Sequence, residues 1–276
     1  MFLINPYIYS GGGSSYLLDT YGSSVVAYSL RKVESTYSGN IIRVRRSSDD
    51  TEQDIGLSGD LLDTSALTTF VGANDGFVVS WYDQSGNGRT ITQSTATNQP
   101  KIVSSGTVIV GANGLPAIET DGGDFLNNSG FTVPGVNMSI FCVWKANANG
   151  TNQAIFDASA SAAFRQYFVS RTTTLERYYS ASGNFTATAL GSNQFLISIT
   201  QDSTPTALIQ ENNSTLFNDS TGIRPDNSNG WILFKRGAGN YLGNGSKIQE
   251  FIQFNSDLTS QIDDVNTDIN NYYSIY

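Results

Sequence analysis

Most of the chain beyond residue 75 consists of short apolar runs that are separated by clusters of Gly, Asn, Asp and Ser. The runs are rich in β-branched and aromatic residues, and apolar and polar positions alternate within them, as they do in half-buried strands. They read GFVVSWYDQ, QPKIVSS, PAIETDG, NMSIFCVWKA, QAIFDAS, RQYFVSR, LERYYSAS, FLISITQD, TALIQEN, GWILFKR and KIQEFIQFN. Strands this short, at intervals of roughly 8–15 residues, predict an all-β protein built as an antiparallel sandwich.

A first helix is predicted over residues 23–37, with Ser23 or Ser24 as its N-cap. Apolar positions recur there at spacings of four, three and four, which would place them on one face of a helix. These positions are Val26, Leu30, Val33 and Tyr37. The run IIRVRR that follows alternates apolar and basic residues and predicts a strand.

Two further helices are predicted, one on each side of the strand-rich region. The first is short and covers Thr64–Val71, with Asp63 or Thr64 as its cap. The second covers residues 259–273 at the end of the chain, and Thr259 is its predicted cap. Its apolar stripe is made of Leu258, Ile262, Val265, Ile269 and Tyr272.

Residues 1–15 are predicted to be an arm that ends in the flexible sequence GGGSS, and residues 16–276 a single sandwich domain. The arm is strongly apolar, and its contact residues would be Phe2, Ile4, Tyr7 and Tyr9. An apolar arm is costly to leave in water, so it is expected to dock. Two docking surfaces remain open, namely its own domain and a partner or second copy of the chain.

Composition removes several classes of function. The chain has no histidine and one cysteine, Cys142, which excludes Ser-His-Asp catalysis, an internal disulfide and a Cys/His metal cluster. A formal net charge of −9 disfavours binding to nucleic acid. Apolar runs are too short to cross a membrane, and the start MFLINPYIYSGGG lacks the features of a signal peptide. We therefore expect a soluble protein that is cytosolic or released by a route other than secretion.

The sequence DQSGNG at residues 83–88 is one candidate site, with Asp83, Gln84 and Asn87 as its polar residues. Asp and Asn side chains commonly bond neighbouring backbone amides, so a self-bonded turn is one interpretation. A polar floor for a glycan or a partner is the other. In RVRRSSDD, local ion pairs between the arginines and Asp49 or Asp50 are expected.

No metal ligand is predicted, and a structural calcium site is the one metal site that the sequence leaves open. DNSNG at residues 226–230 is similar to the start of a calcium loop, but Gly237 stands where an EF-hand needs a bidentate glutamate. An EF-hand is therefore excluded, an irregular calcium site remains open, and no other cofactor is predicted.

Without histidine, the remaining candidates for a sugar site are carboxylates, which could catalyse hydrolysis, and exposed aromatic rings, which could bind the sugar. Strand carboxylates that could form a catalytic pair, or simply face solvent, are Glu119, Asp157, Glu176, Asp202, Glu211 and Glu250. Tyr178 and Tyr179 are adjacent, so one of the two should point outward if they lie on a strand. An outward tyrosine could stack on a sugar ring, whereas most of the other aromatics are expected in the core.

Several segments resemble the catalytic domain of α-L-arabinofuranosidase B, glycoside hydrolase family fifty-four. They are LLDTYGSSVVAYSLRKVESTYSGNIIRVRRSSDDTEQDIG, DTSALTTFVG, FVVSWYDQSGNGRTITQ and GIRPDNSNGWILFKRGAGNYLGNGSKIQEF. The resemblance implies a concanavalin A-like sandwich of two antiparallel sheets, a jelly roll. This agrees with the period-two pattern of the strands.

The same resemblance implies that the catalytic groups are missing. The family's general acid aligns with Gly239, and its nucleophile and the Asp two residues earlier align with Leu175 and Thr173. Glu176 is one residue away from the nucleophile's position, which turns a strand side chain to the other face. The family's vicinal cysteine pair aligns with Ala154-Ile155. A scaffold without hydrolysis is therefore expected, with no catalytic residue.

The segments also resemble proteins of tailed-phage structural gene clusters. This implies a non-enzymatic virion component, in the capsid decoration or the tail fibre, that is made in the host cytoplasm and assembles with itself or with other virion proteins. A lectin-like site for host glycan would use Asp83, Gln84, Asn87, Glu176, Tyr178 and Asn240. The alternative is a hydrolase of arabinofuranosyl glycans, with Glu176 and Glu250 as a carboxylate pair, and a free lectin is a third hypothesis.

Overall fold

The structure is a computed structural model. It describes residues 16–147, 153–158, 168–171, 175–180, 183–188, 194–204, 206–220, 229–236 and 240–276. For residues 153, 168–171, 175–180, 183–188, 219–220, 236 and 240 it describes the backbone alone. The predicted arm and most of the predicted calcium loop lie outside the described residues.

The described elements are mainly short strands. The first strands are β1 (Ser24–Ser29), β2 (Ile42–Arg46), β3 (Glu52–Ile55), β4 (Leu57–Ser58), β5 (Leu61–Leu62), β6 (Gly76–Trp81), β7 (Ile91–Thr92), β8 (Lys101–Ser104), β9 (Thr107–Val108), β10 (Ile118–Glu119), β11 (Leu126–Asn128) and β12 (Met138–Lys145). The others are β13 (Gln153–Ala154), β14 (Phe156–Asp157), β15 (Phe168–Arg171), β16 (Leu175–Ser180), β17 (Gly183–Thr188), β18 (Gln194–Gln201), β19 (Thr206–Glu211), β20 (Ser214–Ser220), β21 (Trp231–Leu233), β22 (Lys235–Arg236), β23 (Asn240–Tyr241) and β24 (Lys247–Phe254). The helices are α1 (Leu17–Tyr21), α2 (Thr64–Val71) and α3 (Ile262–Tyr273), with 3₁₀ turns at Ala96–Asn98 and Thr259–Gln261.

The strands form an all-β, antiparallel sandwich, as predicted. In one layer β24 pairs with β1 and β12, and β18, β19 and β20 follow beyond β12. The other layer runs from β14 through β21, β11, β7 and β6 to β8, and β2 and β3 extend it from β6. The short strand β10 pairs with β8 and with β24 and so connects the two layers. A separate sheet of four strands contains β13, β15, β16 and β17.

The space between the layers is filled by large aromatic side chains. Trp81, Trp144 and Trp231 are fully buried there, as the sequence predicted for most aromatics. Phe156, Trp231 and Phe251 form one cluster, with ring centroids 5.1–5.6 Å apart. Edge-to-face packing at this distance adds to the apolar area that such rings bury.

The layer that contains β24 is covered on its outer side by the two terminal helices. Phe141, Val143 and Ile252 point away from the sandwich core and pack against α3 and α1. The sheet is therefore buried on both faces. Every residue of β1 and β18 is buried, and so are most residues of β12 and β24.

The helix predicted over residues 23–37 is wrong, because part of that segment is a strand in the sheet that is buried on both faces. Ser24–Ser29 form strand β1, and only the short helix α1 precedes it. A strand covered on both faces has no polar face, so its sequence lacks a period of two and resembles a buried helix segment. The β-branched pair Val25 and Val26 was the local signal for the strand.

The other two helices are confirmed. α2 covers Thr64–Val71, and Asp63 Oδ1 caps it by accepting a hydrogen bond from the Ala66 N–H at 2.8 Å. α3 ends at Tyr273, and the 3₁₀ turn that precedes it begins at Thr259. The predicted capping role of Thr259 is wrong, because Gln261 is the N-cap residue of α3 and no side chain caps that end.

Candidate functional site

The DQSGNG turn is attached to β1 by the Asp83 carboxylate. Asp83 Oδ1 accepts the N–H groups of Ala27 and Ser85 at 2.9 and 3.0 Å. Asp83 Oδ2 accepts the Ser85 hydroxyl at 2.7 Å and the Arg89 N–H at 3.0 Å. The carboxylate is 6% exposed and has four donors, so it is committed to holding the turn against the strand.

The two other polar residues of this turn also bind backbone. Gln84 is buried, its Oε1 accepts the Val33 N–H, and its Nε2 donates to the carbonyls of Ser29 and Arg31. Asn87 Nδ2 donates to the carbonyls of Ser24 and Val25 at 2.8 and 3.1 Å. The structure thus agrees with the interpretation of a self-bonded turn, and of the three candidate residues it leaves only Asn87 exposed to solvent.

Glu250 lies at the centre of a second polar cluster, under helix α3. Its carboxylate receives two hydrogen bonds from Arg31, at 2.9 and 3.1 Å, and one each from the hydroxyls of Ser29 and Tyr273, at 2.7 and 3.2 Å. The Arg31 guanidinium also lies over the Tyr272 ring at 4.5 Å. Burial disfavours the charged guanidinium, but the Glu250 carboxylate outweighs it, so the pKa of Arg31 is raised. The side chain of Glu250 is fully buried and binds α3 to the sheet rather than facing an open cleft.

The expectation that the strand carboxylates face solvent is wrong for Asp157, Glu211 and Glu250, which are 0–1% exposed. Glu119 is half-buried, and it forms an ion pair with Lys247 at 3.3 Å. Glu176 lies on β16, where it is opposite Arg171 of β15 and Ala187 of β17.

Tyr178 lies two residues further along β16, opposite Val169 of β15 and Phe185 of β17. The side chains of Glu176 and Tyr178 are outside the described residues, so the predicted outward tyrosine stays a prediction. The four-stranded sheet that carries both residues is separate from the strand β24 that carries Glu250.

Local ion pairs at RVRRSSDD are confirmed with one change of partner. Arg45 pairs with Asp50 and Arg46 with Asp49, each at 2.6 Å. Arg43 instead pairs with Asp54 of the adjacent strand β3, at 2.8 Å. These arginines are therefore neutralised by neighbouring aspartates.

The hairpin of β22 and β23 presents a cation and an aromatic ring side by side. Lys235 and Tyr241 are direct cross-strand partners, and Arg236 pairs with Asn240, the candidate residue named from the sequence. Lys235 Nζ lies 4.0 Å from the ring centroid of Phe125 and 5.0 Å from that of Tyr241. The two rings are tilted and 6.4 Å apart. All three side chains are half-buried.

Two backbone features fix this arrangement. Phe234 has a φ of +68°, a strained value for a bulky residue, and it separates β21 from β22. The Phe234 backbone is bonded on both sides, by donating to the Ile155 carbonyl and by accepting from the Leu242 N–H. Phe125 immediately precedes β11, and its N–H donates to the Asn98 carbonyl at 3.1 Å.

The loop before Phe125 contains a buried carboxyl group, Asp124. It is 4% exposed, and Asp124 Oδ2 accepts the Asp121 N–H at 2.8 Å. Burial raises the pKa of Asp124 to about 7, and the charge of Asp121 contributes in the same direction. Asp124 is therefore a carboxyl group that changes its protonation state near neutral pH.

Folding stability is expected to fall as the pH rises from about 4 to 7 because of Asp124. The folded chain binds this proton up to a pKa of about 7, whereas the unfolded chain releases it near ~3.9, so the folded state loses relative stability across that window. The contribution is at most ~4 kcal/mol, since one unit corresponds to about 1.4 kcal/mol. Urea unfolding at several pH values checks this.

Asp124→Asn should flatten this pH dependence and be more stable than the wild type at pH 8, because an amide carries no charge to bury. The exposed Glu52→Gln is the control and should keep the wild-type profile. Equal profiles for the wild type and Asp124→Asn would show that Asp124 is not the titrating group.

Of the positions that matter for the arabinofuranosidase resemblance, Ala154 and Ile155 lie beside the same hairpin. Ala154 and Ile155, at the place of the family's cysteine pair, are fully buried, and Ile155 bonds to Phe234 as described above. Gly239 and Thr173 lie outside the described residues, and Leu175 is the first residue of β16.

Within the described part of the chain, no cluster of three or more potential metal-ligating side chains occurs. No described helix is long and apolar enough to cross a membrane.

Comparison with protein families supports the resemblance over part of the chain. The model of the family described as "Alpha-L-arabinofuranosidase B, catalytic" matches residues 18–122. These residues contain all of α1 except its first residue, α2, strands β1–β10 and the DQSGNG turn. A search of curated protein sequences returns no match.

Solved structures agree on the fold. A family-54 α-L-arabinofuranosidase soaked with 4-nitrophenyl α-L-arabinofuranoside has a TM-score of 0.71 at 18% identity, over 91% of this chain and 63% of that chain. An arabinofuranosidase in complex with arabinofuranosyl-α-1,2-xylobiose gives the same values. The sialidase of Trypanosoma rangeli, in complex with 2,3-difluorosialic acid, has a TM-score of 0.50 at 8% identity, over 68% of this chain and 30% of that chain.

The chain therefore has the arabinofuranosidase type of β-sandwich and resembles the catalytic domain of that class. At these identities the likeness to solved structures is one of fold. The chain spans about 63% of the length of the arabinofuranosidases that it matches.

Sequence reasoning did not find Phe125, Lys235, Tyr241 or Asp124. Phe125 comes from a segment far from the hairpin of Lys235 and Tyr241, and neither its contact with them nor the burial of Asp124 follows from local spacing. A usable signal was the hairpin itself, because Lys235 and Tyr241 flank a short glycine-containing stretch in KRGAGNY, which is typical of cross-strand partners in a hairpin.

Proposed function

We propose that this chain is a non-hydrolytic, glycan-binding structural protein of a tailed-phage virion. The observation that carries the proposal is how the chain uses the segment that matches the arabinofuranosidase family. The polar side chains of its DQSGNG turn bind the backbone of β1 and the segment after it, so this segment acts as scaffold.

Two further points support a non-hydrolytic role. By resemblance, Gly239 and Leu175 stand at the positions of the acid and the nucleophile, and neither side chain can transfer a proton or attack a sugar. Glu250, which the hydrolase hypothesis would pair with Glu176, is fully buried and held by Arg31 under α3. The virion assignment comes from the resemblance to proteins of phage structural gene clusters, with residues 1–15 as the proposed assembly arm.

The test combines an activity assay with a binding assay on the full chain. We expect no release of p-nitrophenol from 4-nitrophenyl α-L-arabinofuranoside above the buffer rate, and retention of the protein on a glycan array. We also expect mass spectrometry to find the chain in purified phage particles. Turnover of the arabinofuranoside, or absence of the chain from the particles, would contradict the respective part of the proposal.

One observation favours the alternative of a glycoside hydrolase, namely Asp124. A general acid must be protonated near neutral pH, and burial gives Asp124 a pKa of about 7. If the wild type does hydrolyse the arabinofuranoside, the variant Asp124→Asn decides whether this carboxyl is the acid. Loss of turnover at neutral pH with a thermal midpoint no lower than that of the wild type would assign that role to Asp124, and unchanged turnover would remove it.

A further inference from the structure

The side chains of Lys235, Tyr241 and Phe125 have unused binding capacity. Lys235 has no carboxylate partner among the described residues, and its contacts there are the two rings. The Tyr241 hydroxyl makes no hydrogen bond within that part of the chain. This differs from Arg31, Arg43 and Lys101, which are each neutralised by a carboxylate.

The rings hold the Lys235 ammonium in place without using its hydrogen-bond donors. A cation–aromatic contact is electrostatic and directed at the ring face, and at an exposed site it is weak. The ammonium keeps its N–H groups for water or for a ligand. An anionic group that binds there displaces water and breaks no ion pair of the protein.

We propose that Lys235, Tyr241 and Phe125 form a binding site for an acidic saccharide, one whose sugar ring carries a carboxylate. The ammonium of Lys235 pairs with the carboxylate, the Tyr241 hydroxyl bonds a sugar hydroxyl, and the edges and exposed faces of the two rings contact the C–H groups of the sugar. This inference rests on the proposed glycan-binding function and assigns it a site and a ligand class.

The backbone around the site supports a specific role. The strained φ of +68° at Phe234 interrupts the strand immediately before Lys235 and sets the direction of the hairpin. The backbone of Phe125 is fixed by two hydrogen bonds: its N–H donates to the Asn98 carbonyl, and its carbonyl accepts from Gln93 Nε2. The site is therefore built on anchored backbone from two elements, which limits the ordering cost of binding.

A nucleic acid is a poor candidate for this cation because the chain carries a net charge of −9, which repels an extended polyanion. A saccharide with isolated carboxylates carries fewer negative charges, so the net negative charge of the protein repels it less. Its binding should still weaken with added salt, since one ion pair at a half-exposed position is screened.

The experiment measures binding of a galacturonate oligosaccharide and of its methyl ester, which has the same sugar without the charge. The wild type should bind the acid form about tenfold more tightly, which corresponds to about 1.4 kcal/mol, and Lys235→Gln should lose that preference because it removes the one charge-assisted contact. Phe125→Leu should weaken binding of both forms. Near-ultraviolet circular dichroism of each variant verifies that the fold is kept.

Lys32→Gln is the matched control. Lys32 Nζ also lies over an aromatic ring, that of Tyr16 at 5.2 Å, but the Tyr16 hydroxyl is bound to Asp60. This variant should bind like the wild type.

The outcomes separate the two proposals. Binding of the acid form that Lys235→Gln leaves unchanged would overturn this site and keep glycan binding, and so would equal binding of the acid and the ester. Absence of binding to any glycan on the array would overturn the proposed function together with this site.

Discussion

Replacing Asp83 by alanine is expected to lower the free energy of unfolding by about 3–5 kcal/mol, among the largest effects of a single substitution in this protein. Asp83 accepts four hydrogen bonds, two of them from the N–H groups of Ala27 and Arg89. Ala27 is fully buried on a strand that is covered on both faces, so its N–H would lose its partner out of reach of bulk water. Urea unfolding followed by tryptophan fluorescence measures the change.

Two conservative variants make this prediction specific. Asp83→Asn keeps an oxygen for Ala27 but places an amide N–H against the donors of Ser85 and Arg89, so an intermediate loss is expected. Ser85→Ala removes one of the four bonds and should cost about 1 kcal/mol. An unfolding midpoint for Asp83→Ala equal to that of the wild type would show that the hydrogen bonds of Asp83 to β1 do not stabilise the fold.

The sequence was most informative where a strand or helix has one solvent-facing side. β2 and α2 both have such a side, and the sequence showed the alternation of β2 and the cap of α2. β1 has none, because α3 and α1 cover the face that a sandwich usually leaves to water, and its prediction as a helix was wrong. Alternation carries no information about a strand when both of its faces are apolar.

Polar residues show the same limit. The residue types and the spacing in DQSGNG indicated a self-bonded turn as one of two interpretations, because Asp and Asn side chains bond backbone groups a few residues away. The additional hydrogen bonds of Asp83 and Asn87 to β1 join segments that are distant in the chain, and no local sequence pattern predicts them. Glu250 and Lys235 are further cases, since the partners that define their roles, Arg31 and Phe125, come from other parts of the chain.

Replacing Arg31 by methionine is the second substitution with a large expected effect. It leaves the Glu250 carboxylate fully buried without its counter-charge, and breaking a buried pair in this way typically costs 3–5 kcal/mol, so a loss of about that size is expected. The hydroxyls of Ser29 and Tyr273 remain as donors and moderate the loss. The free energy of unfolding from urea titration at pH 7 is the measurement.

A double-mutant cycle separates the ion pair from the packing of the arginine side chain. Arg31→Met combined with Glu250→Gln removes both charges and should be more stable than Arg31→Met alone, because no buried charge is then left uncompensated. Arg43→Met is the control, since Arg43 forms a similar two-bond pair with Asp54, but their side chains are 42% and 30% exposed. That variant should cost no more than about 1 kcal/mol. A double variant as unstable as the sum of the two single variants would mean that the packing of α3, rather than the buried charge of Glu250, determines the loss.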